Sequence, residues 1–509
     1  MLAGFARRTK IKVLFAGSTY MPRLLIALLL IASAGLIRAE PPPEAAALQR
    51  TMHKIIDGAE PSVAMVLVSR SDKYKELGEG PSAAVPGKLG TFFPPRLRNF
   101  PQQDLIRRLD LANPDTIPEA YGSGVVIDER GLILTNFHVI DRATKVFVRL
   151  PGQNRGSYAD ILAADGRSDL AILKMLTPPA DLKALKPGDG GKVRKGDWAI
   201  VLANPFATGF RDGSPSASWG IVSNLRRRIP GPSEEAKRAK PLAQYATLIQ
   251  TDARLNLGCS GGALLNIEGE LVGLTTSLAA LTGGETAGGY AIPFDTNVRK
   301  MIEILKRGEE VEYGFLGVTV SPPEVRTHPQ GVVVADVAPG LPAIRSGIRA
   351  NDIITAINGI PVREQEDLFL NISAALAGTV AEVELLRNGV PRKFSVRLAK
   401  SSHNETVIAS SRPGPVFGLR IDYSSTLSLD SNPPEGVLVR DLDVGSPAEK
   451  HLKEWSDRSR LIVVAVDGQS VPTPSEFYKL AAGKKSITLD IVEAIRDPDS
   501  SQKKRITLP

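Results

Sequence analysis

Between Gly122 and Thr275, short apolar runs alternate with turn signals: Gly124–Ile127, Leu132–Thr135, Lys145–Leu150, Leu170–Leu173, Trp198–Leu202, Trp219–Ser223 and Glu270–Thr275. Runs this short, at this spacing, predict an all-β barrel or sandwich and argue against alternating βαβ units. The pattern changes at Val298–Arg307, where apolar positions recur with the helical period and an amphipathic helix closes the domain. Upstream, residues 48–60 read as a short helix leading into a strand over Ser62–Val68. Residues 71–120 hold many Gly, Pro and charged residues without periodicity, which predicts a long functional or mobile loop.

Beyond the helix the chain repeats itself. Gly331-Val-Val-Val-Ala-Asp-Val-Ala-Pro-Gly-Leu-Pro-Ala343 matches Gly436-Val-Leu-Val-Arg-Asp-Leu-Asp-Val-Gly-Ser-Pro-Ala448 at a constant offset of 105, and Ile357-Asn358-Gly359 matches Val466-Asp467-Gly468 at 109. A period near 100 residues is too long for a solenoid, so these are two complete domains, 312–400 and 416–509. Ser401–Pro415, rich in Ser and Pro, reads as the linker between them.

Composition changes this picture mainly through its distribution. The 509 residues carry a net charge of +8, which invites a nucleic-acid or anionic-membrane partner. Six of the basic residues, Arg7, Arg8, Lys10, Lys12, Arg23 and Arg38, lie in residues 1–39, where there is no acid. A basic flank, the apolar run Leu24–Ile37 and the small exit residue Ala39 describe a secretory signal peptide over 1–39, with Met21 a second candidate start. The run is short of the roughly 20 apolar residues of a spanning helix, so no membrane span is expected after cleavage. Without those six charges, 57 basic residues face 55 acidic ones, a net +2. Aromatics are 5%, too few for stacking platforms, so nucleic acid is not expected as a partner. Residues 40–60 are a spacer and helix, and the all-β domain covers 61–308. With a single cysteine, Cys259, no disulfide can form within the chain, so if it is exported its stability must come from core burial alone.

Three segments carry chemistry. Of five histidines, one alone, His138 in Leu134-Thr-Asn-Phe-His-Val-Ile140, lies inside the β domain. In Asp165-Gly-Arg-Ser-Asp-Leu-Ala-Ile-Leu-Lys174 an aspartate opens an apolar strand, which is costly unless the carboxylate is paired; Asp169 fits that role better than Asp165, which caps the turn. In Gln250–Leu265, Ser260 stands among Gly258, Gly261 and Gly262, where a tight loop presents a hydroxyl while backbone N–H groups converge on one point. The order is His, Asp, Ser, with gaps of 31 and 91 residues. That order excludes the α/β-hydrolase and subtilisin arrangements and matches the chymotrypsin-like one, a two-barrel β fold.

The chain resembles the HtrA (high-temperature-requirement, Deg-type) serine proteases, from about residue 60 to 400 and more weakly to 509. The motifs that carry the likeness are Gly122-Ser-Gly-Val-Val-Ile127, Thr135-Asn-Phe-His-Val139, Ser168-Asp-Leu-Ala-Ile-Leu-Lys174, Gly220-Ile-Val-Ser223, Gln250–Leu265 and Gly289-Tyr-Ala-Ile-Pro293. The resemblance implies a mainly β molecule, a chymotrypsin-like double β-barrel followed by two PDZ-like α+β domains. It implies His138 as general base, Asp169 as its orienting partner and Ser260 as nucleophile, with the Gly258 and Ser260 amides as oxyanion hole. Cys259 and Ala263 stand where the family usually has Asn and Pro; neither change removes a catalytic atom.

Arg254, six residues before Ser260, occupies the place that sets pocket charge in trypsin-like enzymes, though an outward Arg is the plainer reading. Tyr290, Ala291 and Ile292 would form one pocket wall. Phe315-Leu316-Gly317-Val318 suits a loop that holds a peptide carboxylate. Aligning Gly418-Leu419-Arg420-Ile421 with it puts Arg420 where Gly317 stands, which predicts weak binding or a role in assembly for the second copy.

The function expected is an exported, periplasmic or cell-envelope serine endopeptidase that is ATP-independent. Its partners are unfolded or misfolded proteins and C-terminal peptides, and the resemblance implies a homo-trimer or larger assembly. No cofactor and no metal are expected, since neither a Walker motif nor a metal-ligand cluster is present. The competing reading is a peptide-binding chaperone or scaffold with a latent protease domain.

Overall fold

The computed structural model describes residues 42–70, 110–113, 118–152, 155–209, 211–227, 248–276, 288–321, 328–373, 375–402, 406–427, 434–494 and 503–509. The expected signal peptide and nearly all of the 71–120 loop lie outside them. The chain divides into two units, 1–54 and 55–509. The predicted early helix forms over Pro43–Ala59; all that follows concerns the second unit.

Six antiparallel strands make the first barrel: β1 (Val63–Ser69), β2 (Ala120–Asp128), β3 (Leu132–Asn136), β4 (Lys145–Arg149), β5 (Gly156–Asp165) and β6 (Leu170–Met175). They pair in the order β5-β4-β1-β2-β3-β6, and β5 returns to β6 to close the ring. Val66, Val68, Val126, Ile133, Val148 and Leu173 fill its centre. The length of β5 makes closure possible: its start pairs with β4 and its remainder with β6.

A second closed barrel follows, in the order β10-β11-β12-β9-β8-β7. Its strands are β7 (Trp198–Ala203), β8 (Ser216–Arg227), β9 (Leu248–Thr251), β10 (Ala263–Leu265), β11 (Leu271–Thr276) and β12 (Gly289–Pro293). Ala199, Val201, Ile249, Leu264, Val272 and Ala291 meet inside. The predicted closing helix forms over Thr296–Lys306. Asp295 caps it, its carboxylate accepting the Asn297 and Val298 N–H groups at 2.9 Å.

The first repeat contains β13 (Gly314–Phe315), β14 (Val318–Val320), β15 (Val332–Val337), β16 (Ile353–Ile357), β17 (Ile360–Pro361), β18 (Val380–Arg387), β19 (Val390–Arg397) and β20 (Ala399–Lys400). Next comes β21 (Val407–Ala409), and then the second repeat: β22 (Leu419–Tyr423), β23 (Val437–Leu442), β24 (Leu461–Val466), β25 (Gln469–Ser470), β26 (Ile487–Glu493) and β27 (Lys503–Leu508). The sheet orders correspond strand for strand, β14-β15-β16-β18-β19 and β22-β23-β24-β26-β27. The Asn358-Gly359 and Asp467-Gly468 pairs that matched in sequence are both turns with positive φ, joining β16 to β17 and β24 to β25.

Two differences from the sequence reading stand out. The segment read as a linker contains β21, which pairs with the end of β5 (Val407↔Asp165, Ile408↔Ala164, Ala409↔Ala163) and packs Ile408 on the first barrel's core. The repeats are also offset by 101 residues at their first strands, not by the 103 that sets Gly418 against Phe315. Val318 and Leu419 occupy equivalent places, paired with Val337 and Leu442 respectively. Gly418, not Arg420, is therefore the counterpart of Gly317.

Candidate active site

β3 ends at Asn136 and runs into one helical turn, Phe137–Ile140. Phe137, Val139 and Ile140 are buried, which leaves His138 turned outward with its side chain 26% exposed. Asp169 is the last residue of the turn from β5 to β6 and has φ +52°, a left-handed conformation that aspartate tolerates better than most residues. Two bonds on its carbonyl hold it there, from the Phe137 N–H at 3.0 Å and from Asn136 Nδ2 at 3.1 Å.

This anchoring aims the buried Asp169 carboxylate at His138. Oδ1 accepts the His138 backbone N–H at 2.9 Å, and imidazole Nδ1 lies 2.8 Å from Oδ2 and 3.0 Å from Oδ1. A carboxylate at Nδ1 fixes the proton on that nitrogen and leaves Nε2 as the basic one. Burial opposes the imidazolium, but the charge and hydrogen bond of Asp169 outweigh it, so the His138 pKa is held above its ordinary value. Asp141 pushes it further up, and Arg70 pulls it down. Arg70 is fixed at the end of β1 by donating Nε to the Asp141 carbonyl at 2.9 Å.

Ser260 lies on the turn that leads into β10. Gly258 and Gly261 on either side of it have φ +94° and +85°. A Cβ on Gly258 would come within 2.5 Å of the Asn204 carbonyl, and one on Gly261 within 2.1 Å of the Ser123 carbonyl, so both positions demand glycine. The loop is tied to the first barrel through Ser123. Its N–H donates to the Ser260 carbonyl at 2.7 Å and its hydroxyl donates to the Gly258 carbonyl at 2.8 Å, while accepting the Asn204 N–H at 2.8 Å. On the other side, the Thr275 hydroxyl donates to the Cys259 carbonyl at 2.5 Å.

These ties orient the amides. The Leu257 carbonyl accepts from the Phe206 N–H at 2.7 Å, and the Cys259 carbonyl is held by Thr275. A trans peptide points its N–H opposite its C=O, so the Gly258 and Ser260 amides turn away from those anchors. Gly122 marks where the two halves of the site meet: a Cβ there would lie 2.7 Å from the Val139 side chain and 3.1 Å from the Ser260 carbonyl. The helical turn that carries His138 and the loop that carries Ser260 thus approach each other at Gly122.

The remaining candidates are placed differently. Arg254 is exposed, and its carbonyl accepts the Ser218 hydroxyl at 3.0 Å. Along β12, alternation separates Tyr290 and Ile292 from Ala291, which lies in the second barrel's core. Cys259 is buried in the same core, and that burial pushes its thiol pKa up. Sequence reasoning missed the anchoring roles of Ser123, Thr275 and Asn136, and the charge of Arg70. Their partners lie far away in the chain, and no spacing rule signals them.

In the first repeat, the Leu316 and Gly317 carbonyls accept from the Ala343 and Ala338 N–H groups at 2.9 and 3.0 Å, and Gly317 has φ +81°. The loop's carbonyls therefore face the domain and its amides face out. In the second repeat the equivalent carbonyls, Phe417 and Gly418, accept from Ala448 and Asp443 at 3.1 and 2.8 Å. There, however, Val416 and Leu419 exchange main-chain bonds at 3.1 and 2.9 Å around Phe417 and Gly418, with φ +54° and +86°. That is a closed hairpin turn, and it uses the Leu419 amide. In the first copy Phe315 pairs with Ala399 instead.

Comparison with known proteins gives matches to the trypsin-like peptidase domain over residues 122–274 and to the PDZ domain over 314–398. The periplasmic pH-dependent serine endoprotease DegQ of Escherichia coli is 32% identical over 379 residues, covering 72% of this chain and 77% of that protein. Escherichia coli DegP, a periplasmic serine endoprotease, is 32% identical over 378 residues, covering 72% and 73%. A solved structure described as HtrA-type protease AlgW with decapeptide aligns with 26% identity and TM-score 0.47, over 69% of this chain and 99% of that one.

Proposed function

The chain belongs to the DegP/DegQ-type, or HtrA-type, serine endoproteases, and on that premise we propose that Ser260, His138 and Asp169 are its catalytic triad. The observation that carries the proposal is the doubly bonded Asp169–His138 pair, which leaves Nε2 basic on a turn that meets the Ser260 loop at Gly122. In the proposed reaction, Nε2 takes the Ser260 proton as Oγ attacks the scissile carbonyl. The Gly258 and Ser260 amides then stabilise the tetrahedral oxyanion. His138 returns the proton to the leaving amine, and water, activated in the same way, releases the acyl group from Ser260. Asp169, bonded to Nδ1, fixes the tautomer and orients the imidazole through the cycle.

The relatives' names place them in the periplasm, the compartment proposed here, and the leader-like residues 1–39 agree with it. The proposed substrates are unfolded or misfolded proteins, cleaved without ATP. The first repeat is the proposed reader of peptide C-termini, through the outward amides of the Phe315–Val318 loop; the closed turn at Val416–Leu419 argues against the same role for the second. Assembly into a homo-trimer or larger is supported by an exposed apolar patch on the second barrel. Trp198 and Trp219, 36% and 56% exposed, pack with ring centroids 5.1 Å apart beside Ile221. Light scattering on the purified chain checks the mass.

The deciding experiment is fluorophosphonate labelling alongside casein cleavage. The wild-type chain is expected to label, and Ser260→Ala to lose both signals, with turnover down by about 10⁶-fold. Absence of Ser260-dependent labelling in a folded chain would leave the chaperone reading standing.

A further inference from the structure

Asp165 and Asp169 are the ends of one tight turn, with Asp165 opposite Leu170 in the β5–β6 ladder. The fully buried Asp165 carboxylate folds back over this turn: Oδ2 accepts the Ser168 N–H at 2.8 Å. Ser168 is the residue before Asp169, so this bond fixes the peptide that enters the left-handed Asp169. The same Oδ2 accepts a hydrogen bond from the Tyr313 hydroxyl. Tyr313 comes from another domain; it is 1% exposed, and the loop Phe315–Val318 starts two residues after it. The guanidinium of Arg167, inside the turn, lies 4.3 Å from the centre of the Tyr313 ring. The backbone grips the turn as well, since the Gly166 N–H donates to the Thr406 carbonyl at 2.9 Å next to the β21–β5 pairing. Finally, the Ser401 N–H donates to the Tyr313 carbonyl at 2.8 Å, so both ends of the first repeat meet at this tyrosine.

We propose that Tyr313 is a positioning residue for the protease reaction: by bonding the Asp165 carboxylate it holds the turn that presents Asp169 to His138. A buried carboxylate needs its donors, and without the phenol its orientation over the turn relaxes. Asp169 holds a conformation that persists only while its surroundings enforce it. Tyr313 touches no reacting atom. The inference rests on the triad reading above.

The test uses the full chain, with kcat and KM measured on a peptide substrate across the pH range. Tyr313→Phe is expected to lower kcat about ten- to hundredfold, the range of one hydrogen bond to a charged group, with KM little changed. The acid limb is also expected to move to lower pH, because a loosened Asp169 supports the His138 charge less well. Asp141 and Arg70, the other charges acting on His138, are untouched by this substitution. Asp165→Ala should do the same, and the double variant should fall no further than Asp165→Ala alone. An unchanged kcat and acid limb in folded Tyr313→Phe, or additive losses in the double variant, would overturn the proposal. Should Tyr313→Phe fail to fold, Asp165→Asn carries the test, with the same shift of the limb expected and an unmoved limb overturning it. Failure of the triad reading is distinguishable: wild-type chain would then not label with fluorophosphonate, or Asp169→Asn would label normally.

Discussion

At the scale of single residues, the site's pH response is set by three charges around one imidazole. As the proposed base, His138 must be neutral to act, and its pKa is raised, so activity should fall on acidification from a midpoint above the ordinary histidine value of 6.5. Stability follows the opposite sign. A histidine with a raised folded pKa contributes stability that is fully present below its unfolded pKa and is lost as pH rises through the folded one. Asp169→Asn should therefore do two things. It should lower kcat by about 10⁴-fold through the wrong tautomer, and it should move the acid limb of kcat/KM to lower pH. Arg70→Ala should move the limb the other way, since Arg70 holds the His138 pKa down and lies outside the proposed triad. A pH–rate profile of both variants checks the signs; a limb that stays put in Arg70→Ala would remove Arg70 from the site's electrostatics. The pair His138 and Asp169 was legible in the chain because the order His138, Asp169, Ser260 stands out as a motif, whereas Arg70 is one arginine among many until the fold brings it to the His138 carbonyl, 3.4 Å away.

At the scale of elements, two loops in equivalent places of the two repeats differ in their hydrogen bonds. The first keeps its amides outward around Gly317, while the second closes Val416 onto Leu419. A peptide with a free C-terminal carboxylate should bind with a stoichiometry of one per chain, and its amidated form should not bind. Gly317→Ala should weaken binding about tenfold or more, since it forces a side chain into φ +81° and within 2.6 Å of Leu341. Calorimetry with both peptides decides it, and two sites per chain would show that the closed turn opens. The strands here were legible wherever one face is continuously apolar, as in β3, β6 and β7. β5 escaped notice because Gly156-Ser-Tyr-Ala-Asp160 mixes polar and apolar residues over a partly exposed strand. β21 is only three residues long and gains its structure from a partner 242 to 246 residues away, which no local pattern reports. The register at Gly418 was misjudged for a related reason: the connection after β22 is longer than its counterpart, and the 105-residue match lies beyond that insertion.

At the scale of the molecule, one buried charge joins the two repeats. The Lys400 side chain is 7% exposed, and its ammonium lies 2.8 Å from Glu310, 3.2 Å from Glu312 and 3.2 Å from Asp422. Glu310 precedes the first repeat, Glu312 opens it and Lys400 ends it, while Asp422 lies on β22 of the second. Burial works against the ammonium, but Glu312, Asp422 and Glu310 outweigh it and raise its pKa. A raised lysine contributes stability that is lost only as pH rises above its ordinary value of 10.5 through the folded one, so the junction keeps its cation through the neutral range. Lys400→Met preserves the stem and removes the charge, leaving three carboxylates crowded together at a cost of about 3–5 kcal/mol. The second repeat has its own core around Leu452, Leu461, Phe477 and Ile491, so the loss should fall on the contact between the repeats. Calorimetric unfolding of Lys400→Met is expected to split off an earlier transition belonging to residues 416–509, identifiable by limited proteolysis during the melt. A profile identical to wild type would mean that the charge cluster contributes nothing to joining the two repeats and that other contacts, such as the Ser425 hydroxyl on the Lys400 carbonyl and Arg397 beside Glu476, hold them.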